Sequence, residues 1–287
     1  MTRSASRIAR HAARSLAVAL ALFCATIFRV PTAFAQATAV KDAMIAAGIP
    51  DFPPTDFVIR DAASISVLGH SRYEFVIDSA GAPALRGESH YLDGQHDLEF
   101  DHFLPQAGSD GPALAHFEHT FYKPDGSVML EGRADFRIGS ASCSDHRVAP
   151  TKTLASTISF PPRTFAGPTL LIPIQIWLKS GQADTTLNLS GFNCVPGPKV
   201  FDLRITEGRG GNAPGSSFPP DATMATIRPV LGWWDVVIAP FIPKLYAWYD
   251  PSQNYELIGV ELPRFYRGPS IVLTPERQPQ LERAPAR

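Results

Sequence analysis

The sequence is short of charge. Only 18% of its 287 residues are Asp, Glu, Lys or Arg, against about 25% in an ordinary globular chain, which excludes a long charged coiled coil. The formal net charge of −1 gives no basic face, and so no ground for a nucleic-acid partner. With 21 glycines there is no collagen repeat, and no repeat of longer period is present. A phosphate loop, a CxxC pair and a Rossmann glycine fingerprint are all missing, so no cofactor is expected. In surplus are proline, with 27 residues against a usual share of about 5%, and apolar residues at 45%. That supports one large core or two small ones.

The first residues read as an address. Arg3, Arg7, Arg10 and Arg14 come without an acid, and Leu16 to Phe28 is an apolar run of thirteen, too short to span about 30 Å of hydrocarbon. Pro31 is expected to break the helix, and Ala33-Phe34-Ala35 sets small residues where a signal peptidase reads. This order is that of a secretory signal peptide over residues 1–35. The expected protein is exported, periplasmic or secreted, with Gln36 first in the mature chain. Losing five arginines and no acid leaves 21 basic against 27 acidic side chains, a net of −6. No second long apolar run follows, so no transmembrane span is expected after cleavage. Cys143 and Cys194 remain, an even pair that is expected to form a disulfide in an oxidising compartment.

From Ala63 onward the apolar period is two, the signature of strands. Arg72 to Asp78, Leu85 to Tyr91, His96 to Leu104, Ala113 to Tyr122 and Ser127 to Ile138 alternate between turn signals. Asp93-Gly94 marks a hairpin, and a two-residue turn there opposes His90 to Asp97 and Glu88 to Glu99. Val128, Leu130, Gly132, Ala134, Phe136 and Ile138 share an apolar face with Ala115, Phe117, His119 and Phe121 of the preceding strand. With a loop of Asp125-Gly126 alone, Glu118 meets Arg133; a four-residue loop spares Pro124 from the ladder, and the register stays open. A short helical patch is expected over 40–47. Leu170 to Leu178 is apolar all round, and periodicity does not decide between helix and strand. Further strands follow near 185–189, 200–206, 222–228, 244–250, 255–262 and 265–273. The fold class is all-β with minor helix: one domain over 36–274, a large curved antiparallel sheet forming a half-barrel or open barrel. Residues 275–287, with three prolines and mixed charge, read as a disordered tail.

Three sets of residues invite chemistry. Gly69-His70-Ser71-Arg72-Tyr73 imitates a nucleophile elbow, but the strand-like continuation and Tyr73 in place of glycine argue against a catalytic Ser71. The alternation puts His102 with Leu98, Phe100 and Leu104, and His119 with Phe117 and Phe121, so both imidazoles are expected on the buried face, as core groups or an acid–base pair. The opposite face gathers Glu88, His90, Asp97 and Glu99, a candidate metal set or a solvated, charge-paired surface. His90 and His116 are expected to point outward. Last, Trp233, Trp234, Phe241, Tyr246 and Trp248 crowd the final quarter, as core packing or as the lining of an apolar-ligand cavity.

The stretch Lys244-Leu245-Tyr246-Ala247-Trp248-Tyr249-Asp250, then Leu257, then Tyr266-Arg267-Gly268-Pro269-Ser270-Ile271-Val272-Leu273, with Leu178-Lys179-Ser180-Gly181-Gln182 before a strand, resembles bacterial periplasmic domains of unknown function with a half-barrel like that of the lipoprotein carriers LolA and LolB. The resemblance covers roughly 70–273. It implies a half-barrel with an apolar groove and no catalytic residues. The expected function is a non-enzymatic envelope protein that binds a lipid-like or other apolar ligand. The rivals are a hydrolase or lyase using His102 and His119 or the acidic face, and an architectural protein docking an envelope partner through the 233–242 aromatic segment.

Overall fold

The structure is a computed structural model and describes residues 29–108, 111–181, 186–194, 197–211, 213–230, 245–264 and 268–276. Contacts divide the chain into two units, Met1–Asp42 and Ala43–Arg287. Helix α1 (Arg29–Ala46) runs from the first into the second. It begins earlier than the patch expected over 40–47 and takes in Pro31, which a helix tolerates in its first turn, where the backbone N–H has no partner to lose.

The second unit is a sheet. Eight strands follow as an antiparallel meander: β1 (Thr55–Asp61), β2 (Val67–Ile77), β3 (Pro83–Tyr91), β4 (His96–Phe103), β5 (Leu114–Tyr122), β6 (Val128–Asp135), β7 (Ser140–Asp145) and β8 (Lys152–Thr157). Then come β9 (Thr164–Ala166), a 3-10 turn (Gly167–Leu170) and helix α2 (Leu171–Lys179). A second meander closes the order: β10 (Thr186–Asn193), β11 (Lys199–Arg209), β12 (Thr223–Pro229), β13 (Leu245–Asp250), β14 (Glu256–Pro263) and β15 (Ser270–Pro275). Because β15 pairs with β1, the two meanders form one fifteen-stranded sheet, all antiparallel except β9 beside β10. The protein is all-β.

A sheet this wide must curl to bury a face. The curl is visible in a covalent bond: Cys143 on β7, the second strand in the sheet order, joins Cys194 just after β10, the fourteenth. Phe117 of β5 meets Phe192 of β10 at 5.6 Å between ring centroids, with Phe136 and Phe160 completing the cluster. The edges β8 and β9 do not pair with each other, so the sheet stays open.

α2 lies in the second half, where Ile172, Ile174, Trp177 and Leu178 are buried. This decides the apolar stretch 170–178 for helix, with Pro173 again in the first turn. The Tyr249 hydroxyl donates to the Leu171 carbonyl at 3.2 Å, and the Gln175 amide to that of Tyr255 at 2.8 Å. At the hairpin from β5 to β6, Glu118 opposes Arg133 and His116 opposes Asp135; a bulge between Phe121 and Tyr122 then lets Pro124 sit in a three-residue loop. That reconciles the two loop lengths the sequence leaves open.

Candidate functional site

The hairpin between β3 and β4 decides what faces inward. Its loop is Leu92-Asp93-Gly94, three residues: the Tyr91 N–H reaches the Gln95 carbonyl at 2.9 Å, and Gly94 takes a φ of +83° that favours glycine. The two-residue turn expected from Asp93-Gly94 is therefore one residue too short. Since side chains alternate, a slip of one residue turns every side chain of a strand to the other face. His90 pairs with His96 and Ser89 with Asp97. On β4 the carboxyls of Asp97, Glu99 and Asp101 point inward and are buried at 7%, 7% and 0% exposure, while Leu98 is 37% exposed on the outer face.

Neighbouring strands add to this inner row. In one cross-strand line lie Phe57, Ser71, Ser89, Asp97 and Phe121; in the next, Tyr73, Gly87, Glu99, His119 and Gly132; in the third, Phe75, Leu85, Asp101, Phe117 and Ala134. Gly87 is needed because the Tyr73 ring lies over it, where a Cβ would come within 2.5 Å of that ring. Ser89 stands between Ser71 and Asp97 in the first line and is 3% exposed. The Tyr91 hydroxyl donates to Asp97 Oδ2 at 3.2 Å, and His119 Nε2 stands 4.0 Å from Asp97 Oδ1.

Burial raises the pKa of all three carboxyls. For Glu99 and Asp101 the rise is large, and each is reinforced by the next acid along the strand, Asp97 acting on Glu99 and Glu99 on Asp101. At Asp97 the burial is opposed by His119, Ser89, Tyr91 and Arg264. Burial lowers the pKa of His119, with Asp97 pulling the other way. The His119 side chain is nonetheless 37% accessible. Tyr73 is raised well above the usual phenol range by burial and by Glu99.

Arg264, after β14, closes the turn end of this row. Its guanidinium lies 3.7 Å from the centre of the Tyr91 ring and donates to Asp93 and Gln95 at 3.0–3.2 Å, with the side chain 10% exposed. Six buried side-chain polar atoms among the described residues have no hydrogen-bond partner. Four belong to this region: Ser71 Oγ, both carboxyl oxygens of Asp101, and Arg264 Nε.

Other expected sites are placed differently. His119 is inside as expected, but His102 is on the outer face, its Nδ1 3.0 Å from Asp78 Oδ2. The expected inward pair of histidines therefore does not exist, for the same one-residue reason. The candidate metal set is split by the sheet: Glu88 and His90 lie outside, bonded to each other at 2.7 Å, and Asp97 and Glu99 inside. Among the described residues no three His, Cys, Asp or Glu side chains are grouped to hold a metal ion. Glu88 instead continues an outer ladder of ion pairs through Arg86, Glu74, Arg72 and Asp56. His90 and His116 point outward, His116 beside Asp135 and Arg137.

Trp248 is 3% exposed and packs with Ala213 and Val272, with Tyr246 and Phe218 against that cluster, so these two aromatics belong to a satellite core. Trp233, Trp234 and Phe241 lie outside the described residues. An open depression of 620 Å³ crosses β5 to β8 near His116, Arg133 and Ser142; it is shallow and holds none of the desolvated acids, and the chemistry lies in the inner row. Sequence reasoning missed Tyr73, Tyr91, Ser89, Asp101 and Arg264, and had set Ser71 aside; a three-residue count at the Leu92-Asp93-Gly94 loop brings Asp101 to the same face as Ser89 and Tyr91. Comparison with protein-family models and with the curated proteins finds no match to this chain.

Proposed function

We propose that this is an exported acid–base enzyme, a hydrolase or lyase acting on an uncharged substrate, with its site on the inner row of β4. One observation carries the reading: Asp97, Glu99 and Asp101 occupy alternate positions of one strand, all buried, beside His119 and Tyr73. Desolvated acids of this kind cluster at catalytic sites because a carboxyl that keeps its proton near neutral pH is a general acid. Glu99 donates the proton. His119, neutral and accessible, is the matching base, and Asp97 stabilises the imidazolium that forms. An anionic substrate is opposed by Asp97, and an apolar one leaves the carboxyls without a partner. This weighs against the apolar-groove carrier that the resemblance to LolA and LolB implies, since such a groove calls for an apolar lining. Export is supported by the basic start, the apolar run and Ala33-Phe34-Ala35, and the Cys143–Cys194 bond fits an oxidising compartment.

The test is turnover in D2O of a neutral-metabolite extract from the expressing cells, read by mass spectrometry. A compound consumed or deuterated with the wild type and untouched by Glu99→Gln supports the reading. Identical profiles for the two proteins overturn it.

A further inference from the structure

The fifteen-stranded sheet ends on two unlike edges. β9 has three residues, all buried, so that edge is covered. β8 has six residues, all exposed, although its register with β7 runs without a bulge from Lys152 to Thr157. Just beyond it the Ile158 N–H donates to the Gly139 carbonyl at 2.8 Å. By the alternation of an antiparallel ladder, Lys152, Leu154 and Ser156 then bond to β7. The N–H and C=O groups of Thr153, Ala155 and Thr157 point to the free edge. Among the described residues no strand pairs with that edge. Natural edges are blunted by a proline, a bulge or an inward charge; between Thr153 and Thr157, β8 has none of these.

An open edge of this kind accepts an extended strand. Because β9 is buried, copies of the chain cannot join β8 to β9 and run on as a fibre. The edge they share is β8 itself, and two copies joined there close as a two-fold. Antiparallel pairing about Ala155 uses every free group: Ala155 meets Ala155 and Thr153 meets Thr157, with about six backbone hydrogen bonds. Between them Leu154 falls opposite Ser156 and Lys152 opposite Ile158, so no like charges are opposed. A separate observation favours the same pairing. Ile138, Val148 and Leu154 are three of the eight exposed large hydrophobic side chains among the described residues. Ile138 lies in the turn at the Thr157 end of β8, and Val148 in the loop at the Lys152 end. Antiparallel pairing brings the first end of one copy beside the second end of the other. We propose that two copies of this chain pair through β8, extending the sheet across a two-fold at Ala155. One strand pair buries less than a standard interface, so the dimer is weak and concentration-dependent. The inner row of β4 lies four strands away, and the dimer stands or falls apart from the acid–base reading.

The experiment is sedimentation equilibrium of the full mature chain at low salt, from micromolar to millimolar concentration. The mass should rise from monomer toward dimer and no further. Ala155→Pro removes an outward N–H, leaves the bonds to β7 in place and should weaken the dimer about tenfold or more. Ala155→Lys and Ala155→Glu change one exposed side chain and should fold like the wild type, as circular dichroism checks. Because this residue faces its own copy, each charged variant alone should dimerise about threefold or more weakly. An equal mixture of the two should recover the wild-type affinity as a heterodimer. Only a two-fold at Ala155 produces that rescue; a structural effect of either substitution does not. A wild type that stays monomeric throughout overturns the proposal and leaves the edge to a strand of another protein. So does a dimer that Ala155→Pro and Ala155→Lys leave intact, a mass that climbs beyond two copies, or a mixture no tighter than either charged variant alone.

Discussion

Glu99 and Asp101 differ from surface carboxyls in sign as well as size. Burial raises their pKa, so above about pH 4, the unfolded carboxyl range, the folded chain holds protons the unfolded chain has released. Stability from these groups is then full at low pH and is lost as pH rises toward the folded values. Hydrogen bonds and ion pairs lower the carboxyls of Glu88 and Asp145 instead, which acts only as pH falls below the same range. The denaturation midpoint of the wild type should therefore decline from pH 5 to 9, and that of the Glu99→Gln/Asp101→Asn double variant should decline much less. A wild-type midpoint that rises over this range would contradict the account. His102 gives the contrasting case. Its bond to Asp78 lies on the outer face, and part-exposed pairs contribute about 1 kcal/mol or less. Urea denaturation of His102→Gln should show a loss of that size, whereas a loss of about 3 kcal/mol would mean a core role.

At the scale of elements, the staple between β7 and β10 holds the curl. It closes a loop of sequence separation 51, worth about 4 kcal/mol in the chain-entropy description. Urea denaturation of Cys143→Ala/Cys194→Ala should register a loss near that value, and unreduced protein should titrate with no free thiol. Much of the sheet was legible because one face is wet and one dry: Phe117, His119 and Phe121 read correctly, as did Gly132 and Ala134. β8 was not legible, since all six of its residues are exposed and no alternation results. β7 is small and polar, Ser140-Ala141-Ser142-Cys143-Ser144-Asp145, and reads as loop. The inner acids were hidden by expectation itself. On β4 the apolar residues face out and the acids face in, so the hydrophobic pattern points to the wrong face, and only the turn length corrects it. Such an inversion is costly for folding, and it is where function is expected to override pattern.

For the whole molecule, two meanders folded over one another enclose a row that neither half holds alone. Arg264 from the second meander grips Asp93 and Gln95 of the first at the turn end, and Gly167 lies against the Glu99 carboxyl, where a Cβ would clash with it. An exported chain should reach this state after losing residues 1–35; intact mass of secreted material should correspond to a chain starting at Gln36, and retention of Met1 to Ala35 would remove the export reading. The central claim is that Glu99 and Asp101, on the inner face of β4, carry protons at neutral pH. Infrared difference spectroscopy in the carboxylic-acid C=O region tests it most directly, on wild type, Glu99→Gln and Asp101→Asn. The account predicts a protonated-carboxyl band at pH 7 that each substitution reduces. A wild-type spectrum with no such band at pH 7, or one that both variants leave unchanged, would contradict it.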